Sequence, residues 1–365
     1  MRNKNADCTP NLPPAQDRAS AWYGADMDQR KDEWLFHLSE TEIVELRSAF
    51  NYFSRLNLPV ALMQKDQFPL PSLGPKLLAL RKQLTEGIGF FLLQGLPIEE
   101  LNEEEQIGIF FGLGTHLGHA RSQNAQGHLL GHVRNLGLDS TDPKVRIYQT
   151  SERQTFHTDS SDAVGLLCLQ PAKEGGISLL VSADTVFNEM RQGRPDLLRL
   201  LLQPIATDRR GEVPSGMLPY LTIPVFSYHD GLITPFYQRQ YIESAQRFED
   251  APRLTSLHYE ALDLFDELCN SPKLNLTMSL QKGDMQFVYN HAMLHDRTAF
   301  TDWDEMANRR HLARLWLSLP GDRPLPDIFA SRFGSTEIGN RGGIIVPGTK
   351  LCIPMLQDII EQYGA

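Results

Sequence analysis

The sequence predicts a mainly β protein with flanking helices, of the α+β class, with a barrel or jelly roll as its core and a helical N-terminal third. Three observations support this fold class. Short strand-like segments follow one another closely after about residue 129. Turn-forming runs such as KEGG and QKGD separate them. Helices do not alternate regularly with these segments, as they would in βαβ units, so antiparallel architecture is indicated.

The N-terminal third contains three predicted helices and one predicted strand. In SETEIVELRSAFNYF, Ser39 fits an N-cap and Glu42 completes a capping box before one apolar stripe. PKLLALRKQLTEG is a second helical run, and NEEEQIGIFFGLGTHLG is a third with an acidic first turn. The intervening run GFFLLQGLP is short, apolar and bounded by glycine and proline, which indicates a buried strand.

The rest of the chain supplies the β core. The strand-like segments are, in order, RIYQTS, VGLLCLQ, ISLLVSA, IPVFSYHDGLI, MQFVYN and HLARLWLSL. Two helical stretches interrupt them, ADTVFNEMRQGRPDLLRLLLQ and TSLHYEALDLFDELCN. Because there is no internal repeat or low-complexity linker, we expect an N-terminal arm over residues 1–30, partly disordered, and a single domain over residues 31–365.

Composition excludes several classes of protein. The 365 residues are 41% hydrophobic and 22% charged, which is typical of a globular protein with a full core. The formal net charge of -10 argues against a surface that wraps nucleic acid. Four scattered cysteines without a CxxC motif argue against a disulfide framework and a cysteine zinc site, and fit a reducing cytoplasm.

The sequence also predicts the location and the partners of the protein. The N-terminus lacks the apolar region of a signal peptide, and no apolar run approaches the roughly 18 residues of a membrane span. We therefore expect a cytoplasmic protein whose partner is a small-molecule substrate, without nucleic acid or membrane. A homo-oligomer is compatible with the sequence.

The first candidate site lies in TFHTDSS, where His157 and Asp159 are two positions apart. Residues at i and i+2 of a strand share a face, so both side chains can bind one metal ion. A polar strand end with a hydrogen-bonded histidine has the same local pattern, and two ligands alone do not hold a catalytic metal. The interpretation therefore depends on a third ligand elsewhere in the chain.

A third ligand is available in GDMQFVYNHAMLHDRTAF, which contains His291 and His295 near the end of a predicted strand. Either histidine, together with His157 and Asp159, gives two histidines and one carboxylate. This set leaves open positions on the metal and suits a non-heme Fe(II) oxygenase.

An anion clamp is available in NRRHLARLWLSLP. Arg310 and Arg314 are four positions apart and therefore point to the same side of a strand, whereas Arg309 points to the other side. A guanidinium binds a carboxylate through two parallel hydrogen bonds. A dicarboxylate that chelates a metal at one end would need such a clamp at its other end.

The motifs FHTD, EGGISLL, GDMQFVYNHAMLHDR and RRHLARLWL, in this order, resemble those of the TauD/TfdA family of Fe(II)- and 2-oxoglutarate-dependent dioxygenases, which are clavaminate synthase-like. The resemblance covers residues 85–320 approximately. It implies a double-stranded β-helix, or jelly-roll, core over that range with flanking helices. It also implies Fe(II) as the metal, with 2-oxoglutarate and O2 as co-substrates.

The resemblance implies iron ligands by position. His157, Asp159 and His295 match the catalytic metal ligands of the family. His295 is preferred to His291 because the distal ligand of the family stands in an N…HxR context, which here ends at Arg297.

The resemblance also implies roles in binding the co-substrate and the substrate. Arg310 and Ser178 match the residues that hold the far carboxylate of 2-oxoglutarate, with Arg309 as the alternative to Arg310 and a plain strand residue as the alternative for Ser178. Arg314 matches an arginine that faces an anionic group of the substrate, and a structural ion pair inside the barrel is its alternative role.

The implied reaction is hydroxylation of an unactivated C–H bond in a small, anionic organic substrate, with release of succinate and CO2. Desaturation, epoxidation or cyclisation in a biosynthetic pathway would use the same cofactor chemistry. Asp159 disfavours halogenation, because related halogenases replace the ligand carboxylate with a small residue. From other classes, a redox-inert metal hydrolase or a non-catalytic binding protein could use the same barrel, but a hydrolase would not need the Arg310 clamp.

Overall fold

Two sheets, antiparallel except for the parallel pair of Leu35–His37 with Phe90–Gln94, face each other at the centre of the protein in a computed structural model, which describes residues 12–139, 145–213 and 216–363. Within those residues the strands are β1 (Leu35–His37), β2 (Phe90–Gln94), β3 (His119–Arg121), β4 (Leu130–Val133), β5 (Gln154–His157), β6 (Ala163–Gln170), β7 (Glu174–Gly175), β8 (Ser178–Ser182), β9 (Ile205–Asp208), β10 (Tyr220–Ile223), β11 (Phe226–His229), β12 (Leu232–Pro235), β13 (Asn275–Met278), β14 (Met285–Tyr289), β15 (Met293–Arg297), β16 (Phe300–Thr301) and β17 (His311–Ser318).

Helices cover the outer faces of both sheets. In the described ranges they are α1 (Gly24–Met27), α2 (Glu40–Ser54), α3 (Leu73–Thr85), α4 (Glu103–Leu117), α5 (Ala183–Gly193), α6 (Pro195–Leu201), α7 (Arg239–Ser244), α8 (Ser256–Asn270), α9 (Ala330–Phe333) and α10 (Leu356–Tyr363). Helices α2, α3 and α4 pack on the larger sheet, and α5, α6 and α8 pack on the smaller one.

The larger sheet has the strand order β1-β2-β14-β6-β17-β3, with β4 also paired to β17, and the smaller sheet has the order β13-β8-β15-β5. Side chains of β8 alternate between two environments, as the period of two of a strand requires. Leu180 packs into the core between the sheets, whereas Leu179 and Val181 pack against the helices. The mainly β jelly-roll prediction with flanking helices is therefore confirmed.

The predicted N-terminal helices and strand are all present. In α2, Ser39 Oγ accepts from Glu42 N at 3.3 Å, and Glu42 Oε2 accepts from Ser39 N at 2.8 Å, so the capping box is confirmed. Phe110 of α4 packs on Phe287 of β14 with ring centroids 6.0 Å apart, and Phe50 of α2 joins the same core. Aromatic packing therefore joins the helical layer to the larger sheet.

Two of the predicted β segments differ from the structure. RIYQTS is not a strand but contains a 3₁₀ turn over Ile147–Gln149. Its backbone N–H groups form local hydrogen bonds, from Gln149 N to Arg146 O and from Thr150 N to Ile147 O, and not bonds to a neighbouring strand. IPVFSYHDGLI is a hairpin of β11 and β12 rather than one strand, because Asp230 and Gly231 both adopt positive φ and form its turn.

The first helical stretch after β8 is divided into α5 and α6 at Arg194. The residue before a proline avoids the helical region, and Arg194 has φ -140° and ψ 69°. Pro195 then begins α6, where its missing N–H breaks no hydrogen bond because the first N–H groups of a helix have no acceptor within it.

The N-terminal segment packs on the body of the protein from residue 12 onward. Trp22 is buried and its Nε1 donates to Ile88 O at 2.8 Å, while Ser20 Oγ donates to Asp184 Oδ2 at 2.5 Å. Residues 1–11 of the predicted arm lie outside the described residues. None of the described helices is both long enough and apolar enough to cross a membrane.

Candidate active site

The two histidines of the predicted metal site face each other on neighbouring strands. His157 ends β5 and pairs directly with His295 of β15, and their ring centroids are 4.1 Å apart. His291 is not part of this pair. It precedes β15, and its Nε2 lies 2.8 Å from Asp162 Oδ1.

Asp159 follows β5 in a loop that Asn290 holds in place. Asn290 Oδ1 accepts from Asp159 N at 3.0 Å, and Asn290 Nδ2 donates to Ser161 O at 2.9 Å. Asp159 Oδ1 lies 3.9 Å from His157 Nε2, and Asp159 Oδ2 lies 3.8 Å from His295 Nε2. One ligand atom from each of the three residues lies within 4.8 Å of the others.

The protonation states of these residues fit a divalent metal ion. His157 Nδ1 lies 2.8 Å from the acceptor Thr155 O, so Nδ1 carries the proton and Nε2 presents a lone pair. Burial lowers the pKa of both histidines, that of His295 to about 3. Burial would raise the pKa of Asp159, but Arg314 and the two histidines together lower it. Neutral imidazoles and an ionised carboxylate are the forms that bind Fe(II).

A cavity of about 500 Å³ is lined by His295, Arg310 and Ser178 together. Arg310 is buried, and its Nη1 has no hydrogen-bond partner among the described residues. Burial lowers the pKa of Arg310 to about 10. A buried guanidinium nitrogen without a hydrogen-bond partner is costly, so this cavity favours an anion. Ser178 Oγ donates to Gln286 Oε1 at 3.0 Å and would add a hydroxyl to the same site.

Arg297 also lines this cavity, although the sequence pointed to it only as the end of the N…HxR context. Its Cζ lies 4.7 Å from the Phe300 ring centroid, and Arg310 Cζ lies 5.1 Å from the same centroid. Burial and the charge of Arg310 lower the pKa of Arg297 to about 9. The i+2 spacing from His295 could have identified Arg297, because residues at that spacing on β15 share a face.

Arg314 lies at the boundary between this cavity and a second one. Its Nη1 is 3.6 Å from Asp159 Oδ2, and its Nε donates to Gln123 Oε1 at 2.8 Å. Its Cζ lies 4.7 Å from the ring centroid of Tyr148 and 5.1 Å from that of Trp316. Arg314 therefore forms an ion pair with a candidate metal ligand and lines both cavities.

The second cavity, of about 600 Å³, is lined by His157, Asp159 and Arg314 on the side of the candidate metal site. Its other walls include Thr207, Phe236 and Tyr241, all from the segment 205–250. Arg146 and Arg332, which the sequence analysis did not single out, also line this cavity.

A buried network connects the loop of Asp159 to the C-terminal segment. Arg341 is fully buried, and it donates through Nε to Asp162 Oδ1 at 2.7 Å and through Nη2 to Asp322 Oδ2 at 2.8 Å. His291 also contacts Asp162, and this group is a second histidine–carboxylate cluster within the described residues. Because the Arg341 guanidinium already compensates both carboxylates, the cluster is a structural network and not a metal site.

The same C-terminal segment continues against the loop through backbone contacts. Gly343 N donates to Ser160 O at 2.7 Å, and the positive φ of Gly342, 78°, brings the chain close. A Cβ at Gly342 would lie 2.9 Å from Ser160 O, so only glycine permits this approach. The C-terminal segment therefore packs directly against the loop that carries Asp159.

Comparisons with known proteins agree with this geometry. The family model described as "Taurine catabolism dioxygenase TauD, TfdA family" matches residues 55–316. The chain belongs to the TauD/TfdA family. As a member of this family it is an Fe(II)- and 2-oxoglutarate-dependent dioxygenase that also uses O2, and the enzyme class and cofactors predicted from the motifs are confirmed.

Individual relatives of this TauD/TfdA protein come from bacteria and fungi. FR-33289 synthase of Streptomyces rubellomurinus is 32% identical over 84% of this chain and 91% of the relative. Taurine hydroxylase-like protein SAT17 of Stachybotrys chartarum is 29% identical over 81% of this chain and 77% of the relative. The solved non-heme iron oxygenase OrfP, in complex with Fe and alpha-ketoglutaric acid, has a TM-score of 0.57 at 14% identity and covers 78% of this chain and 93% of its own. This likeness supports the fold.

The co-substrate clamp can be tested by binding. Replacing Arg310 with methionine is expected to weaken 2-oxoglutarate binding by about 100-fold or more, because two charge-assisted hydrogen bonds are lost. Titration of the absorption band of the anaerobic Fe(II)/2-oxoglutarate complex measures this dissociation constant. The matched control is Arg309→Met, which should change it by less than about twofold. The reverse pattern would assign the clamp to Arg309.

Proposed function

We propose that the protein hydroxylates an unactivated C–H bond of a small, anionic organic substrate and releases succinate and CO2. One observation carries the proposal: a buried histidine–aspartate–histidine cluster lines the same two cavities as five arginines, which are Arg146, Arg297, Arg310, Arg314 and Arg332. His157, Asp159 and His295 would hold the iron. Arg310 and Ser178 would hold the far carboxylate of 2-oxoglutarate.

Iron held by His157, Asp159 and His295 would supply, with 2-oxoglutarate and O2, the oxidising chemistry that hydroxylation of a C–H bond requires. The protein positions the reactants around it. Trp316 Nε1 donates to Asp159 Oδ2 at 2.8 Å and orients this carboxylate. Arg310 orients the co-substrate, and Arg314 faces the substrate cavity, where it can hold an anionic group.

The cellular location, the partner and the domain organisation predicted from the sequence are proposals as well. We expect a cytoplasmic enzyme because its cysteines form no disulfide pattern, and Cys168, Cys269 and Cys352 are free thiols in the structure. A small-molecule substrate is expected as the main partner. An arm over residues 1–30 followed by a single domain over residues 31–365 stays a prediction.

The proposed function predicts succinate release that depends on the substrate. A panel of small anions and their neutral amides should be incubated with enzyme, Fe(II), ascorbate and 2-oxoglutarate. We expect succinate above the uncoupled background only with a subset of the anions, and a product 16 Da heavier by mass spectrometry. A product lighter by 2 Da would instead indicate desaturation or cyclisation.

The alternatives from other classes give different results in the same assay. A redox-inert hydrolase would convert its substrate without consuming 2-oxoglutarate and with Zn(II) in place of Fe(II). A non-catalytic binding protein would form the anaerobic Fe(II)/2-oxoglutarate band but take up no O2 with any member of the panel. Either result would contradict the proposed hydroxylation.

A further inference from the structure

Three cavities follow one another along one face of β17. Trp316 and Arg314 line the substrate cavity, Arg314, Leu312 and Arg310 line the co-substrate cavity that also contains Ser178, and Leu312 and Arg310 line a third cavity. Side chains two positions apart share one face of a strand, and six residues of a strand span about 20 Å. We call the third cavity, which is lined by residues 168, 171–177, 279–281, 310 and 312, the rear cavity.

The rear cavity lies at the end of the two sheets that is opposite to Asp159. Strand β17 begins at the rear end, where its first residue pairs with the last residue of β6. Strand β13 ends there too, since its Met278 pairs with Ser178, the first residue of β8. Asp159 lies at the other end, in the loop between the end of β5 at His157 and the start of β6 at Ala163. The substrate cavity and the rear cavity are therefore on opposite sides of the co-substrate cavity.

The rear cavity connects Arg310 with the surface. Its volume is about 660 Å³, and the exposed residues Ser279 and Gln281 form part of its wall, as does the exposed turn at 173–175. Gly176 has a positive φ of 65°, and a Cβ there would lie 2.9 Å from Arg310 Nε. Only glycine therefore lets this turn lie directly against the guanidinium. Arg310 is at the inner end of the rear cavity, and the two turns are at its mouth.

Three side chains line both the rear cavity and the co-substrate cavity, namely Leu280, Arg310 and Leu312. Leu312 belongs to β17 and is 1% exposed, whereas Leu280 follows the end of β13 and is 8% exposed. A change of side-chain rotamer at Leu280 needs no movement of a strand, and rotamer changes are fast compared with turnover. Leu280 is therefore the part of this wall that can move most easily.

The charge of the rear cavity favours a dicarboxylate. Two of its described lining residues are cationic, Lys173 and Arg310, and one is anionic, Glu174. Burial raises the pKa of Cys168 to about 12, so this thiol adds no charge. The net positive charge attracts anions towards Arg310. A dicarboxylate that enters here with its keto-acid end first arrives with its far carboxylate at Arg310, so it does not have to turn inside the protein.

We propose that 2-oxoglutarate enters and succinate leaves through the rear cavity, past Leu280, and not through the substrate cavity. Both molecules are dicarboxylates, so Arg310 can bind each of them on the way. Because the substrate cavity lies on the other side of the candidate iron ligands, succinate can leave while the hydroxylated product still occupies that cavity. The inference rests on the proposed function, since it takes Arg310 as the residue that holds the far carboxylate of 2-oxoglutarate.

The test measures the exchange of 2-oxoglutarate by anaerobic stopped-flow at the absorption band of the Fe(II)/2-oxoglutarate complex. Mixing the Fe(II) enzyme with 2-oxoglutarate gives the association rate constant. Mixing the complex with excess N-oxalylglycine, a dicarboxylate of equal length that lacks the ketone responsible for the band, gives the dissociation rate constant. A change in the route alters both rate constants by the same factor and leaves the dissociation constant unchanged, because the free and bound states stay the same.

Two variants should change the exchange in opposite directions. Ser279→Trp narrows the mouth of the rear cavity and should slow association and dissociation by about tenfold or more, with the dissociation constant within about twofold of the wild type. Leu280→Ala widens the passage and should speed both rates several-fold. Leu221→Trp is the matched control, because Leu221 lines the substrate cavity, and it should leave both rates unchanged. An unchanged dissociation constant also shows that each variant is folded.

The possible outcomes separate this inference from the proposed function. Unchanged exchange in Ser279→Trp, or slower exchange in Leu221→Trp, would overturn the rear route and assign exchange to the substrate cavity. A change in the dissociation rate alone would also overturn it, because the variant would then act on the bound complex. In all these cases the band and succinate release persist, so the proposed function stands. If the wild-type enzyme forms no band, the proposed function fails, and this inference fails with it.

Discussion

Replacing His295 with alanine is expected to abolish substrate-dependent succinate formation, because a two-ligand site does not retain Fe(II). His295 lies opposite His157 with ring centroids 4.1 Å apart, so its removal takes one of the three clustered donors. Turnover should fall by at least about a thousandfold, to the uncatalysed background. Anaerobic titration with Fe(II), followed by metal analysis of the desalted protein, measures the loss of iron directly.

The matched variant for His295→Ala is His291→Asn, which tests the alternative ligand. His291 Nε2 contacts Asp162 Oδ1 at 2.8 Å inside the buried network, so its replacement should lower thermal stability. Iron stoichiometry should stay near that of the wild type at a temperature below the melting transition. Iron retention in His295→Ala together with iron loss in His291→Asn would show that the ligand assignment is wrong.

Replacing Arg341 with methionine is expected to lower the free energy of unfolding by about 3–5 kcal/mol, because the buried carboxylates of Asp162 and Asp322 would both lose their direct ion pair. All three side chains are fully buried in the structure. Urea unfolding followed by circular dichroism measures this loss. Iron affinity should fall as well, since Asp162 follows Asp159 in the same loop.

An exposed ion pair provides the control for Arg341→Met. Arg47 Nη2 lies 2.6 Å from Glu100 Oε2, but both side chains are partly exposed. Arg47→Met should therefore cost no more than about 1 kcal/mol. A loss below about 1 kcal/mol for Arg341→Met would contradict the role of the buried network.

Much of the fold could be predicted because local signals agree with the tertiary structure. The capping box of Ser39 and Glu42 begins α2, and the apolar run after Gly89 forms β2. The segment RIYQTS was misinterpreted because side-chain type alone does not show whether a neighbouring strand edge exists. The break at Arg194 could have been predicted from Pro195, which excludes the preceding residue from the helical region.

The candidate metal site could be predicted because its donors lie in short motifs on strands. His157 and Asp159 are two positions apart, and His295 stands in a run with a strand pattern. Arg146, Glu212 and Arg332 could not be found in this way, because they lie in irregular or short helical segments. They meet only when the C-terminal segment folds back over the sheets. Neither the hydrophobic periodicity nor the residue spacing of the sequence predicts that contact.

The buried contact between Arg341 and Asp162 has a consequence for C-terminal truncation. The last of the described strands, β17, belongs to the larger sheet and ends at Ser318, before Arg341. Without Arg341, Asp162 lacks the guanidinium that pairs with it, and the loop that bears Asp159 lacks its support. A chain that stopped after Ser318 would contain all the described strands and all three candidate ligands, yet the loop that positions Asp159 would lack this buried anchor.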